Sequence, residues 1–442
     1  MFLFKKTGIN EKLFFNSRTS LAFALKILNL LFQFISIYFL VDSFTSTELG
    51  VYYLFMSFFG LQILVDLGFT KTMSIFISHE SSKVTLIKNS IEGDIKSLQK
   101  VKIILKIVYG WFVKSSLYLF FIYLCVGMVF FVIKEKSSEI FMLWILLSIM
   151  SCILLFSSMV TSFLQGINEI NKANIYSSIQ LIVSNVLFFS TIKTFGLQSL
   201  LFKSLGSILV FFIYVLYYKK LLYFFIRLKT NLDFGINTLF SKQQRKFALT
   251  SILGFFILNT FIPFSYYFVS PEFSGQLGLT FQITNTVSVF MMIFFNVNFP
   301  IFSQSIADFE YEKAFSDFFY VLKAIFILLV IGYSSFFLLK EIPLIQTFIN
   351  NKIFDHWNLV LIVFGSIGYL YVDLISSFLR LFKVELFVKH AIISLGISVL
   401  LLSTLGLYYQ HIGVVIAYFL LALFGAANVS AIFIKYRRNE RV

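Results

Sequence analysis

Residues 140–165 read IFMLWILLSIMSCILLFSSMVTSFLQ, a stretch without a single charged side chain. A helix rises about 1.5 Å per residue, so this stretch is long enough to cross a hydrocarbon core of roughly 30 Å. Lipid offers no hydrogen-bond partners, and a helix pairs its backbone amides within the segment. Similar apolar segments recur along all 442 residues, which predicts an all-α polytopic membrane protein.

The composition excludes a soluble globular domain. Hydrophobic residues make up 59% of the chain and charged residues only 13%, whereas a soluble domain carries about 25% charged residues. The net charge of +15 would suit nucleic acid. The basic residues are concentrated in alternate loops, however, which is typical of membrane topology. We therefore predict no nucleic-acid partner.

Twelve spans are predicted. They cover Leu21–Val41, Leu49–Ile77, Ile107–Ile133, Ile140–Gln165, Asn174–Ile192, Ser199–Tyr218, Phe247–Val269, Leu277–Ser303, Val321–Leu339, Trp357–Leu379, His390–Tyr409 and Ile412–Ile434. Only Lys193–Gln198 joins the fifth and sixth spans, so we expect these two to form a hairpin.

We predict two six-helix lobes, over residues 1–225 and 247–442, joined by a cytoplasmic linker over residues 226–246. The linker is rich in polar and basic residues. Ser46-Thr47-Glu48-Leu49-Gly50 opens the second span and a similar stretch, Ser270 to Gly275, opens the eighth. Duplication of the halves explains this similarity, and so does ordinary helix capping. Many transporters are built from two such repeats around a central site.

The basic residues predict the orientation in the membrane. The N-terminal tail and alternate loops are rich in lysine and arginine, whereas the intervening loops hold few such residues, among them Lys134, Lys136, Lys340 and Lys352. The positive-inside rule then places both termini in the cytoplasm, where the basic patches meet anionic membrane lipids. The first span is too long for the core of a cleavable signal peptide, so we interpret it as a retained signal anchor.

Two local features accompany the spans. After Gly93, apolar residues on one helical face oppose Lys96 and Lys100, which fits an interfacial elbow before the third span and equally a solvated loop helix. Pro263 and Pro300 lie inside predicted spans. A proline there removes an amide donor and bends the helix, either as a packing device or as a hinge.

No metal and no cofactor are predicted. The chain has no G-x-x-x-x-G-K-[ST] motif and no insertion large enough for an ATPase domain, so any transport is not driven by ATP bound to this chain. His79, His356, His390 and His411 lie near span boundaries without metal-ligand spacing. Solvated or interfacial roles explain them better than metal binding does.

Charged residues within the spans are the candidate site residues, because an ionisable group near mid-bilayer needs a wet cavity or a partner. We assign Lys26, Lys71 and Lys114 to a cationic, substrate-binding cavity, and Asp66 and Asp373 to ion coupling or a charge pair. Lys26 and Lys114 lie near the cytoplasmic boundary, where snorkelling is an equal alternative. Asp66 is too short to snorkel, so we expect it to face a cavity or to pair with Lys26 or Lys71.

The balance of these charges indicates the class of substrate. Lysines outnumber carboxylates in the spans of the first half, and a cationic cavity with apolar walls suits a phosphate or pyrophosphate group. Several amides within the spans could bind a polar cargo, although helix packing explains each of them equally well. They are Asn29, Gln33, Gln62, Gln180, Asn185, Asn259 and Gln282.

The chain resembles the Wzx-type oligosaccharide flippases, within the MOP superfamily that also contains the MATE drug exporters. The resemblance lies in Glu48-Leu49-Gly50-Val51-Tyr52, in Asp66-Leu67-Gly68-Phe69 with Lys71, and in Gly93-Asp94. Pro300 and the acidic residues that follow it, from Asp308 to Glu312, look similar in the second half. An acidic residue is expected in the seventh span, and this chain has Asn259 there.

The resemblance implies two lobes with pseudo-two-fold symmetry that alternate between inward-open and outward-open states. The implied cargo is an undecaprenyl-pyrophosphate-linked oligosaccharide repeat unit, moved across the bacterial inner membrane during O-antigen or related polysaccharide synthesis. It also implies an ion gradient as a source of energy, and a polysaccharide polymerase and a chain-length regulator as partners.

Three other functions compete with this interpretation. A MATE-like exporter of cationic compounds would favour carboxylates over lysines in its cavity. A membrane polymerase or glycosyltransferase commonly needs a large outer loop or an acid pair on one, but residues 42–47 form a short loop and residues 340–356 hold no such pair. A purely structural subunit leaves Asp66 unexplained. We therefore predict a transporter and not an enzyme.

Overall fold

The structure is a computed structural model. It describes residues 17–66, 69–80, 84–87, 90–228, 252–343, 346, 349, 352–382 and 386–439. Within these ranges nearly all of the chain is helical, which confirms the predicted all-α fold. The described strands form one antiparallel hairpin, β1 (Val84–Ile87) and β2 (Ser90–Gly93), which the sequence did not predict.

The α-helices are numbered in chain order. They are α1 (Ser17–Ser43), α2 (Ser46–Phe59), α3 (Gln62–Asp66), α4 (Phe69–Ser78), α5 (Ile95–Gly127), α6 (Ser138–Gly166), α7 (Ile170–Phe195), α8 (Ser199–Tyr217), α9 (Lys219–Arg227), α10 (Phe261–Phe268), α11 (Pro271–Ala307), α12 (Tyr311–Lys340), α13 (His356–Leu379), α14 (Val388–Leu401) and α15 (Leu407–Asn439). A π-helical segment over Met128–Lys134 continues α5, and another over Leu402–Gly406 joins α14 to α15.

The described parts of the twelve predicted spans are almost entirely helical, and residues 67–68 of the second span and 247–251 of the seventh lie outside the described ranges. Eight helical stretches are long and apolar enough to cross a membrane, and two of them, Ile170–Tyr217 and Val388–Arg438, each hold two predicted spans. Two shorter apolar helices, Ile27–Ser43 and Ile252–Phe268, correspond to the first and seventh spans. The predicted polytopic membrane protein is confirmed, and α7 and α8 pack together as the expected hairpin.

The second predicted span is not the one continuous helix that we expected, because α2 ends at Phe59 and α3 begins at Gln62. Residues 67–68, between α3 and α4, lie outside the described ranges. Side chains join this span to its neighbours: Gln62 Nε2 donates to the carbonyl oxygen of Ser151 at 3.1 Å, and Trp111 Nε1 donates to the carbonyl oxygen of Val65 at 2.8 Å. The second bond gives a backbone carbonyl of the span a partner from outside the span, as irregular backbone at membrane depth requires.

The segment after Gly93 forms the first turns of α5. The carboxylate of Asp94 caps this helix by accepting a hydrogen bond from the Ser97 amide at 3.1 Å. Leu98 and Val101 are buried in a cluster with Val84 of the hairpin. Leu98 and Val101 of the predicted apolar face therefore pack against protein, whereas Ile95 is exposed. The segment continues into α5 without a break, and its position at the membrane surface stays a prediction.

Pro263 and Pro300, the two prolines inside predicted spans, lie at different places in their helices. The residues 252–259 form one helical piece, and Pro263 lies in the first turn of the next one, α10. A first-turn amide has no intrahelical acceptor, so proline costs little there. Pro300 lies inside α11, which continues to Ala307.

Contacts divide the chain into two units. The first contains residues 1–36 and 61–248. One of its apolar clusters joins α4, α5, α6 and α9 to the hairpin, and Val108, Leu221 and Phe225 are buried in it.

The second unit contains residues 37–60 and 249–442. Its core is aromatic: the rings of Phe318 and Phe378 stack with their centroids 4.2 Å apart, and Phe433 packs on both. Such stacks add to the stabilisation that burial of the rings provides.

The predicted lobes, residues 1–225 and 247–442, have different bounds from these units because residues 37–60 group with the second. The predicted linker, residues 226–246, lies mostly outside the described ranges. The two six-helix lobes therefore stay a prediction in their bounds.

The two similar stretches that suggested duplication pack against each other within the second unit. Thr45 caps α2 and Ser270 caps α11, each through its side-chain oxygen. A Cβ on Gly50 would lie 2.1 Å from the carbonyl oxygen of Pro271, and a Cβ on Gly275 would lie 2.4 Å from that of Ser46.

These contacts are reciprocal. The caps and the glycines are separated by the same interval, since 270 − 45 and 275 − 50 are both 225. Pro271 and Ser46, which follow the caps, are separated by 225 as well. Gly50 therefore contacts Pro271, and its equivalent Gly275 contacts Ser46, the equivalent of Pro271. The arrangement supports an internal pseudo-two-fold relation between the two helix starts.

Candidate functional site

The predicted cationic cavity rests on three lysines. Lys26 lies on α1 and Lys71 on α4, and their side chains are outside the described part of the structure. Lys114 lies on α5 and is exposed, on the same face as the exposed Leu117 and Tyr118. A shared cavity for the three ammonium groups therefore stays a prediction.

Asp66 ends α3 and caps the following helix. One carboxylate oxygen accepts a hydrogen bond from the Thr70 amide at 3.1 Å, and the other accepts one from Thr70 Oγ1 at 2.8 Å. The first bond satisfies an amide in the first turn of α4, which has no acceptor within the helix. The carboxylate therefore has a structural role at the start of α4. Its predicted pairing with Lys26 or Lys71 is not tested by these bonds.

A further lysine is held inside the first unit. Lys203 of α8 places its Nζ 4.9 Å from the centroid of the Phe188 ring on α7, within the range of a cation–π contact. This contact places the positive charge of Lys203 beside a ring of the neighbouring span.

Asp373, the other predicted carboxylate, lines a groove in the second unit. The groove has a volume of about 160 Å³. We call it the Asp373 groove and define its polar lining by Tyr369, Asp373, Ser376, Arg380, His390 and Ser394. A molecule of liquid water occupies about 30 Å³, so the groove has room for roughly five waters. Pockets for organic ligands usually measure about 300–1,000 Å³, and the groove is too small for such a molecule.

Three polar atoms of this groove lack hydrogen-bond partners within the described chain. They are the Tyr369 hydroxyl, His390 Nδ1 and Ser394 Oγ, and all three are buried. Buried polar atoms in proteins are nearly always hydrogen-bonded to protein, water or an ion.

Helix periodicity brings these groups together. Tyr369 and Asp373 lie one turn apart on α13, and His390 and Ser394 lie one turn apart on α14. The Arg380 guanidinium acts electrostatically on the Asp373 carboxylate. A proton or one small hydrated cation fits this chemistry, whereas an ion of higher charge would meet repulsion from Arg380.

Asp373 is the one residue of this groove that was predicted as a site residue. His390 was predicted to lie near a span boundary, and Tyr369, Arg380 and Ser394 were not predicted to have a role. The spacing of four residues between Tyr369 and Asp373 indicates from sequence that they share a helix face. The sequence does not indicate that residues of α14 lie beside them, because it does not show which helices are neighbours. In the described residues, no group of three His, Cys, Asp or Glu side chains is arranged to hold a metal ion.

Several of the predicted cargo-binding amides have packing roles instead. Asn185 and Asn259 donate to carbonyl oxygens four residues earlier in their own helices. Gln180 Nε2 donates to the carbonyl oxygen of Ser207 at 3.2 Å. Gln282 Oε1 accepts a hydrogen bond from the Tyr53 hydroxyl at 2.6 Å. For these residues the packing interpretation accounts for the amide without a cargo.

Comparison with known proteins finds similarity at the level of structure. No family profile and no curated protein sequence matches the chain. An inward-facing multidrug resistance MATE family transporter of the MOP superfamily superimposes with a TM-score of 0.62 at 14% sequence identity, over 95% of this chain and 98% of that one. The lipid II flippase MurJ, in an inward closed conformation, gives 0.58 at 16% identity, over 93% and 86%. A MATE structure in complex with MaD3S gives 0.50 at 13% identity, over 95% and 94%.

These identities establish the fold and nothing finer. The chain shares the fold of these structures over nearly its whole length, in agreement with the fold class implied by the resemblance. Its neighbours are transporters and flippases, in agreement with the prediction of a transporter at this coarse level. The Wzx-type assignment is not distinguished from the MATE alternative by these comparisons.

Proposed function

We propose that the chain flips undecaprenyl-pyrophosphate-linked oligosaccharide repeat units, of O-antigen or a related polysaccharide, across the bacterial inner membrane by alternating access. The observation that carries the proposal is the excess of lysine over carboxylate within the spans of the first half, at Lys26, Lys71 and Lys114 against Asp66. A cationic membrane interior attracts the pyrophosphate. The polyprenyl chain stays in lipid, which avoids the cost of exposing its apolar surface to a wet cavity.

The fold supports a flippase without excluding an exporter. MurJ, described as a lipid II flippase, shares the fold of this chain, and so do MATE transporters. An exporter of cationic compounds would need carboxylates in the cavity that binds its cargo. Asp373 lies in a groove that is too small for such a cargo, so the charge balance favours an anionic substrate.

The Asp373 groove supports coupling to a proton or cation gradient. Its volume, its carboxylate and its three unsatisfied polar atoms suit a small ion and its waters. Uptake of that ion would change the charge beside Arg380 and thereby favour one state of the transport cycle. The protein makes and breaks no covalent bond in this proposal.

The remaining parts of the proposal concern its surroundings. Both termini lie in the cytoplasm according to the distribution of lysine and arginine. The basic cytoplasmic patches contact anionic lipids. A polysaccharide polymerase and a chain-length regulator act on the translocated product.

The test uses proteoliposomes that contain only this protein and a labelled lipid-linked oligosaccharide. The label should become accessible on the opposite leaflet while the mass of the lipid-linked glycan stays unchanged. A longer or cleaved glycan would identify an enzyme. Movement of cationic dyes without movement of the glycan would identify a drug exporter.

The coupling step has its own control. Asp373→Asn should abolish acceleration by an imposed ion gradient, whereas Asp355→Asn should not. Asp355 is exposed and precedes the same helix, so both changes remove one carboxylate charge. Equal responses of the two variants to the gradient would contradict a role for the Asp373 groove in coupling.

A further inference from the structure

A second groove in the second unit combines an apolar wall with two arginines. It lies between α12, α13 and the C-terminal part of α15, and its volume is about 480 Å³. We call it the Arg437 groove and define it by Phe319, Tyr371, Ser430, Ile434, Arg437 and Arg438. It shares no lining residue with the Asp373 groove. Phe319 is 43% exposed and Ile434 is 51% exposed, so one side of the groove is open.

The arginines lie at one end of the groove. Ser430 and Arg438 are eight residues apart on α15, a distance of about 12 Å along a helix. The last predicted span ends at Ile434, so Arg437 and Arg438 follow it directly, at the level of the lipid headgroups. Deeper in the groove, the hydroxyls of Tyr371 and Ser430 share a hydrogen bond of 2.8 Å.

Aromatic rings hold the Arg437 guanidinium in place. Its central carbon lies 5.5 Å from the ring centroid of Phe315 and 5.2 Å from that of Phe319. Two cation–π contacts orient this group and reduce the entropy that it would lose on binding an anion. Its Nε atom is buried and has no hydrogen-bond partner among the described residues.

The acidic residues near this end are weak competitors for an anion. Arg437 Nη2 lies 3.7 Å from Glu312 Oε2, and the Glu312 side chain is 62% exposed. A strong charge-assisted hydrogen bond is about 2.7–2.9 Å long, and exposed ion pairs contribute little. Glu310 is paired with Lys313 at 2.7 Å. The two arginines therefore leave positive charge at the end of the groove.

We propose that the Arg437 groove binds one anionic glycerophospholipid, with its phosphate on Arg437 and Arg438. Basic pockets between transmembrane helices suit the headgroups of anionic lipids. The volume holds roughly 16 groups of the size of water, enough for the phosphate, the glycerol and the first part of one acyl chain. The open side at Phe319 and Ile434 lets the rest of the chain continue into the bilayer.

The test titrates purified full-length protein in detergent with phosphatidylglycerol or phosphatidylcholine, and native mass spectrometry counts the bound lipids. Phosphatidylglycerol should bind more tightly. Each basic side chain near an anionic surface contributes roughly a factor of five. Arg437→Gln should therefore weaken binding about fivefold, and the double variant with Arg438→Gln about 25-fold.

Two further variants separate the site from general effects. Lys435→Gln removes one charge from the same helix, but residue 435 is exposed and lies outside the groove, so binding should not change. Ile434→Trp keeps both arginines and fills the open side, so it should weaken lipid binding. Thermal stability in detergent shows that each variant is folded.

The proposal fails if phosphatidylcholine binds as tightly as phosphatidylglycerol, because the arginines then recognise no headgroup. An equal loss in Lys435→Gln would show general electrostatic attraction. Inorganic phosphate serves as the probe without acyl chains, and full competition by phosphate at the concentration of the lipid would show an anion site that does not need the groove.

Discussion

The contact between α2 and α11 makes a quantitative prediction for Gly50→Ala. The added Cβ would lie 2.1 Å from the carbonyl oxygen of Pro271, and an ordinary contact begins at 3.4 Å, so the helices must separate by about 1.3 Å. The neighbouring atom belongs to the backbone and cannot rotate away. Overpacking of this kind costs about 1–3 kcal/mol, and we take the upper end. Replacing glycine by alanine within a helix stabilises the helix by about 0.5–1 kcal/mol, so the free energy of unfolding should fall by about 2 kcal/mol in total.

Thermal unfolding of the purified protein in detergent measures this loss. A loss of 2 kcal/mol lowers the melting temperature by roughly 4–8 °C for a cooperative unit of about 200 residues. Gly332→Ala on α12 is the matched control, because its Cβ would meet no atom within 4 Å, and it should be stabilising by the helix term alone. Equal melting temperatures for the two variants would refute the argument that the α2–α11 contact is closed to a methyl group.

Four other predictions follow from the sequence and the structure. Reporter fusions after Lys136 and after Lys229 should report opposite sides of the membrane, and signals from the same side would contradict the proposed topology. Lys71→Ala should reduce glycan transport at unchanged protein level, and undiminished transport would remove this lysine from the cationic cavity. Asp66→Ala should lower the melting temperature by an amount that corresponds to about 1 kcal/mol, because the hydrogen bond to the first turn of α4 is lost. Asp66→Asn keeps an acceptor oxygen and should lower the melting temperature less, and equal decreases for the two variants would argue against capping. Burial lowers the pKa of Lys352, partly opposed by Asp42 and Glu48, so the folded state releases this proton at lower pH than the unfolded state. Between the two pKa values the stability of the protein should therefore rise with pH relative to Lys352→Met. Melting temperatures of the two proteins that change in parallel from pH 8 to about 10.5 would contradict this shift.

The spans were predictable because lipid imposes one requirement on every segment that crosses it. Residues 140–165 must be apolar and helical wherever they pack, and α6 covers them. The hairpin of β1 and β2 was not predictable in the same way. Its strands have four residues each, too few for a clear alternation, and their burial depends on α5. The contacts of the second span were not predictable either, because Trp111 and Ser151, which bond to its Val65 carbonyl and its Gln62 side chain, are distant in sequence.

The candidate site shows the same limit. A carboxylate within a span is readable from sequence, and this signal found Asp373 in its groove. The same signal found Asp66, whose observed hydrogen bonds are those of a helix cap. A charged residue within an apolar span shows from sequence that the charge needs a stabilising group, but the sequence does not show which neighbouring group stabilises it. The residues of α14 that line the groove with Asp373, His390 and Ser394, became visible only when the packing of the helices was known.

The reciprocal glycines suggest a constraint on how this chain can change. A contact in which each side presents the same motif to the other is what a symmetric dimer places on its axis. In a dimer of identical chains, one mutation would alter both sides of the contact at once. In a single chain each side mutates independently, and Ser46 and Pro271 already differ at equivalent positions. Gly50 and Gly275 are identical at the two positions where a methyl group does not fit, so substitution is most restricted where the two helix starts contact each other.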